Sequence, residues 1–144
     1  MKPIKNTDVL VPILLAEKID KISGSIRHQL EIEFKVYELN VEQGLILEEL
    51  NYHREHTTTQ KELGRKLRLA RYSASRNIDN LESLGYVKRF KDPDSARRVK
   101  VSLTRSGDKL ASILSSLIRN VYKDIFSNLD GKEQTNLFKI MTKL

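Results

Sequence analysis

A chain of 144 residues without cysteine is one domain, or one domain with a small accessory element, and it excludes disulfide frameworks, thiolate zinc sites, iron–sulfur clusters and cysteine nucleophiles. Charged residues at 31% and hydrophobic residues at 39% make an ordinary, slightly polar composition, while a net charge of +7 favours an anionic partner, either nucleic acid or a membrane surface. No run approaches the roughly 20 apolar residues of a membrane span.

The chain opens on an apolar stretch, VLVPILLA at residues 9–16. It follows two lysines but is short, contains Pro12, lacks a small-residue cleavage site and runs directly into EKIDK, so it reads as part of the mature chain. Nothing here points to export, and the expected location is cytoplasmic. From there Ile13, Ala16, Ile19, Ile22, Ile26, Leu30 and Phe34 recur at spacings of three and four, which predicts a long amphipathic helix over residues 8–34. Asn40 with Gln43 forms a capping box ahead of a second helix, about 41–53, carrying Leu45, Ile46 and Leu50. Thr59 with Glu62 repeats the pattern before a short third helix with Leu63 and Leu67 on its apolar edge.

After a brief break at RLAR, Ala74, Ile78 and Leu81 resume helical spacing, and Gly85 supplies the left-handed residue that ends the helix. Two short helices joined by a brief break are a helix-turn-helix pattern. The period then changes. YVKRF at 86–90 and VKVSL at 99–103 read as strands, with KDPDSARR between them as a turn carrying Arg97 and Arg98 at its tip. Thr104 caps a long helix with Leu110, Ile113, Leu114, Leu117, Ile118, Val121, Tyr122, Ile125 and Phe126, and Asp130 with Glu133 starts a last helix with Leu137, Ile140, Met141 and Leu144. The predicted fold is mainly α, with a small β-hairpin wing.

Charge is not spread along this order. Residues 57–104 hold twelve lysines and arginines against five acids, a net of +7, and the rest of the chain is balanced at fourteen each. The whole excess therefore coincides with the helix pair and the hairpin. A solvated basic face without a partner has the same count, so charge alone leaves both readings open. The conjunction of helix pair, wing and focused charge favours duplex DNA. The second helix of such a pair enters the major groove. With Ala74, Ile78 and Leu81 inward, its opposite face offers Arg71, Tyr72, Ser73, Ser75, Arg76 and Asn77. Hydroxyls and amides bond phosphates or base edges, and arginine pairs with guanine or clamps phosphate. Thr59, Arg97 and Arg98 complete the candidate DNA-binding set.

These same segments, TQKELGRKL, SASRNIDNLESLGYVKR and DPDSARRVKVSLTRSGDKL, resemble the MarR family of winged-helix transcription regulators in order and spacing. The most specific part is the arginine-bearing wing followed by VSLTRSGDKL. The resemblance implies a homodimer with intertwined terminal helices, binding a pseudo-palindromic duplex site as a repressor and responding to a small aromatic ligand. By position, Ser75 and Arg76 match the family's Thr/Ser-Arg pair and Arg97 its wing arginine. Ser95 stands where the family usually has aspartate, and Ala70 where a polar cap is common. It further implies helical dimerisation regions at 1–36 and 105–144 flanking a winged region at 37–104, all in one domain of 1–144.

A dimer also follows from the surplus of apolar residues, which fall on more than one face of the terminal helices. The expected contacts are Ile13, Ile19, Leu117, Val121, Ile125, Leu137, Ile140 and Leu144. Three readings compete: a non-specific architectural DNA binder, a winged protein-interaction module and a small enzyme. No phosphate-binding glycine loop, HExxH pattern or nucleophile elbow supports the last. His53 and His56 are spaced like a ligand pair, but with no cysteine and with His28 distant, no metal and no cofactor are expected.

Overall fold

The computed structural model describes residues 6–144, with side chains from Leu10 onward except that of Arg54. Six helices and three strands follow in the order α1 (Asn6–Lys35), α2 (Val41–Tyr52), β1 (Thr57–Thr59), α3 (Gln60–Lys66), α4 (Arg71–Ser83), β2 (Val87–Asp92), β3 (Ser95–Leu103), α5 (Arg105–Ile125) and α6 (Gly131–Met141). No helix among the described residues is long and apolar enough to cross a membrane. The chain forms two compact units, one of Glu31–Ile118 and one joining the residues up to Leu30 with Arg119–Leu144. The breaks fall inside α1 and α5, so the winged unit also carries the first part of α5.

That unit is built on a core of Phe34, Ile46, Leu47, Leu50, Leu63, Ile78, Leu81, Val101, Leu114 and Ile118, all fully buried. Each such side chain contributes about 1.5–3 kcal/mol through removal from water. The helix starts follow their sequence signals. Asn40 Oδ1 accepts from Gln43 N at 2.7 Å while Asn40 N donates to Gln43 Oε1 at 3.0 Å, a complete capping box. Thr59 Oγ1 accepts from Glu62 N at 3.1 Å, but the expected return bond is missing because the Glu62 carboxylate turns to Arg65. That bond, with the positive charge of Arg65, holds the Glu62 carboxyl below the usual carboxylate range.

The helix ends divide into one that is legible and one that is not. After α4, Gly85 takes φ +80, with Tyr86 N donating to Leu81 O and Gly85 N to Glu82 O, both at 3.0 Å. This is a Schellman ending, in which glycine avoids a Cβ clash. After α3 the same job falls to Arg68, at φ 54, with Leu69 N donating to Gly64 O at 2.8 Å.

The sheet has the order β1-β3-β2, all antiparallel. β1 is an addition to the expected hairpin: three threonines pair with Ser102, Val101 and Lys100. The strands also extend past their expected ends, so the turn shrinks to Pro93 and Asp94. At the other end of the wing, Thr104 joins three elements. Its hydroxyl donates to Gly85 O at 2.6 Å and accepts from Gly107 N at 3.1 Å, and its backbone N donates to Tyr86 O at 3.0 Å.

In the other unit, α6 begins with a complete capping box between Asp130 and Glu133. Gln134 Nε2 closes the preceding loop on Phe126 O and Leu129 O at 3.1 and 3.0 Å. Of the expected dimer contacts, Ile13, Ile19, Ile140 and Leu144 are exposed, and Leu117, Ile125 and Leu137 are half-buried. Val121, at 7% exposure, is buried within the chain.

Candidate nucleic-acid interface

The second helix of the pair, α4, buries Ala74, Asn77, Ile78 and Leu81. These are positions i, i+3, i+4 and i+7, a single helical face. The opposite face shows Arg71, Tyr72 and Arg76 exposed, with Ser73 and Ser75 half-buried beside them. Tyr72 is 75% exposed, far more than a tyrosine serving the core would be.

Asn77 is the departure on this helix. Expected on the outward face, it lies on the inward arc between Ala74 and Leu81 and is 9% exposed. Its Oδ1 accepts from Asn40 Nδ2 at 3.0 Å, and its Nδ2 donates to Ser73 O at 2.9 Å. Asn77 therefore ties the start of α2 to the first turn of α4 and satisfies the polar groups that burial would otherwise leave costly. Both ends of its amide are engaged within the chain.

The start of α4 is underbuilt. Ala70 occupies the N-cap without a side-chain bond, and no acid stands in the first turn. Serine there would accept a backbone N–H, so Ala70→Ser is expected to stabilise the fold by about 0.5–2 kcal/mol. Thermal melting of the two proteins side by side checks this, and an unchanged midpoint contradicts it. The lack of an acid has a second effect: the first turn of α4, beside the outward arginines, carries no negative side chain to repel phosphate.

On the wing, Asp92 is buried and its Oδ1 accepts from Asp94 N at 3.0 Å, which closes the turn. The register pairs Asp92 with Ser95 but Lys91 with Val99, leaving Ala96, Arg97 and Arg98 opposite no residue of β2. Arg97 and Arg98 are thus exposed from an irregular length of β3 and not from the hairpin tip, where the sequence placed them. Thr59 sits at the other side of the sheet, paired with Lys100. Its hydroxyl lone pair serves the α3 cap, and its own proton is left to donate.

Two of the twelve basic residues are engaged by acids of the chain: Arg65 by Glu62, and Arg89 by Asp79 and Glu82. Burial works against the Arg89 charge, but the bonds to Asp79 and Glu82 outweigh it and hold the group above the ordinary arginine value. The other ten have no ion pair among the described residues. Arg89, Gln60 and Ser75 line a shallow cleft with Phe90, Lys91 and Val99, between α4 and the wing. Lys91 and Gln60 were not singled out from the sequence. Lys91 follows a strand period too short to show its face, and Gln60 is masked by the cap at Thr59.

His53 Nε2 lies 3.2 Å from Glu49 Oε1, one helical turn away, and His56 Nε2 lies 3.7 Å from Asp108 Oδ1. No group of three metal-ligating side chains gathers among the described residues.

Comparison with known proteins matches this arrangement. The sequence pattern of the MarR family fits residues 37–98. The HTH-type transcriptional regulator PapX of Escherichia coli is 29% identical over 143 residues, covering 96% of this chain and 86% of PapX. The S. aureus MepR–DNA complex superposes with a TM-score of 0.77 at 25% identity, over 90% of this chain and 97% of MepR. A mutant of E. coli MarR complexed with operator DNA superposes with a TM-score of 0.79 over 97% of this chain and 98% of that one, at 21% identity a likeness of fold.

Proposed function

We propose that the chain, whose residues 37–98 fit the sequence pattern of the MarR family, is a sequence-specific regulator of transcription of that family, not an enzyme. It binds duplex DNA as a homodimer and acts as a repressor on a pseudo-palindromic operator. The observation that carries this is the joint exposure of Arg71, Tyr72 and Arg76 on α4 and of Arg97 and Arg98 on β3, within the segment that holds the entire net charge. Phosphate contacts supply most of the affinity. Ser75 and Arg76 read base edges, and the wing steadies the complex. MepR and MarR, each crystallised with DNA, support the reading by their likeness in fold.

The dimer is supported by the apolar residues left uncovered. Leu10, Ile13, Leu14, Leu15 and Ile19 on α1 and Phe138, Ile140 and Leu144 near the carboxyl end are all exposed. Such a surplus is characteristic of an interface. A second copy buries it and places two reading helices on one duplex. A small aromatic effector fits the family pattern, and the absence of cysteine excludes a thiol-oxidation switch.

Selection of bound fragments from random duplexes tests the proposal. The expected product is a pair of inverted half-sites about one helical turn, roughly 34 Å, apart. Recovery of no preferred sequence at moderate salt identifies an architectural binder instead, and negligible duplex binding at low salt identifies a protein-interaction module. Within the complex, Arg97→Ala is expected to weaken binding to all sequences alike and to reduce the salt slope by about 1 for each half-site. An unchanged slope removes Arg97 from the DNA.

A further inference from the structure

Arg89 lies in the basic segment but is turned away from solvent, with 22% of its side chain exposed. It reaches three side chains on two other elements. Its guanidinium bonds Asp79 and, at 3.4 Å, Glu82, both on α4. Nη1 donates to Gln60 Oε1, the first residue of α3, at 3.4 Å. The backbone N of Arg89 donates to Glu82 Oε2 at 3.0 Å, so Glu82 holds β2 by main chain and side chain together. No other side chain among the described residues makes hydrogen bonds from the wing to both helices of the pair.

Resting on the DNA-binding reading above, we propose that Arg89, Asp79 and Glu82 form a clamp that sets the angle between α4 and the wing, making Arg89 a positioning residue for both DNA-contacting surfaces. Ion pairs at a surface add little to folding stability, and the two acids are 57% and 43% exposed. What the clamp contributes is geometry. The planar guanidinium spans two carboxylates and an amide in fixed directions, which an ammonium cannot do. Reading two surfaces of one duplex requires their relative placement to be set before binding, since ordering at the moment of binding costs affinity. The sequence hid this role because Arg89 counts as one more cation of the basic segment, and Asp79 and Glu82 as ordinary acids on a helix surface.

The clamp makes a prediction opposite in sign to a simple charge account. Asp79→Asn with Glu82→Gln removes two negative charges and releases Arg89. If Arg89 and overall charge only attract phosphate, this double variant binds DNA more tightly. If the clamp positions the wing, affinity for the duplex recovered by random selection falls at least tenfold, while affinity for an unselected duplex is equal or greater and thermal melting is nearly unchanged. Fluorescence anisotropy titrations of the full chain on both duplexes read this. Unchanged or tighter binding to the selected duplex by the folded variant overturns the clamp. Should the double variant not melt cooperatively, Arg89→Lys decides: a similar loss of preference is expected, and full retention overturns the proposal. A wild-type chain that prefers no duplex fails before any variant is made, which marks failure of the DNA reading itself.

Discussion

Arg76→Ala is expected to weaken binding to the selected duplex by about 1–3 kcal/mol and to relax the base preference at one position of each half-site. Arg76 is exposed on α4, one residue beyond Ser75 at the cleft beside the wing. It has no ion pair among the described residues, so removing it disrupts nothing inside the chain. Arg89, by contrast, is engaged by two acids and would act on DNA only indirectly. Loss at Arg76 therefore reports a direct contact. Because a dimer presents the residue twice, the loss in a symmetric complex counts both half-sites. Gel-shift titration of wild type and variant on the selected duplex and on duplexes altered base by base measures it. Retained affinity with retained preference places Arg76 outside the interface.

Gly107→Ala is expected to cost more than any surface change, at about 1–3 kcal/mol or above. A Cβ at Gly107 would stand 1.9 Å from Tyr86 O and 2.8 Å from Tyr86 C. These are backbone atoms, and Tyr86 O also accepts from Thr104 N, so the obstacle cannot rotate away as a side chain would. Relief requires α5 to lift from the start of β2, which strains both bonds of the Thr104 hydroxyl. The expected result is a markedly lower melting temperature and weaker DNA binding through loss of wing placement. A melting temperature equal to wild type would show that the close approach of α5 to Tyr86 does not exist in solution. Gly131→Ala is the control, since a Cβ there meets nothing within 4 Å.

Much of this architecture is legible in the chain because its signals are local. Asn40 with Gln43, Asp130 with Glu133, Thr104 and Gly85 each mark a helix boundary through a bond or a φ angle that depends on neighbours a few residues away. The alternation of VKVSL and the period of α4 are local in the same sense. What stayed hidden depends on distant partners. β1 is three threonines long, too short for any period, and becomes a strand only because β3 passes beside it. Arg68 adopts a left-handed angle that its residue type disfavours, in the short turn between α3 and α4. Asn77 has the chemistry of a base-reading residue, and only the position of Asn40, 37 residues earlier, assigns it to the interior. The site was thus legible as a surface, in Arg71, Tyr72 and Arg76, while the bonds that orient it were not.

Hydroxyl-radical footprinting of the wild-type complex on the selected duplex tests most directly whether two copies of this basic face grip one double helix. Two clusters of protected backbone, related by a two-fold axis and centred about one turn, or roughly 34 Å, apart, are the expected result. A single protected cluster, or uniform protection along the duplex, would contradict it.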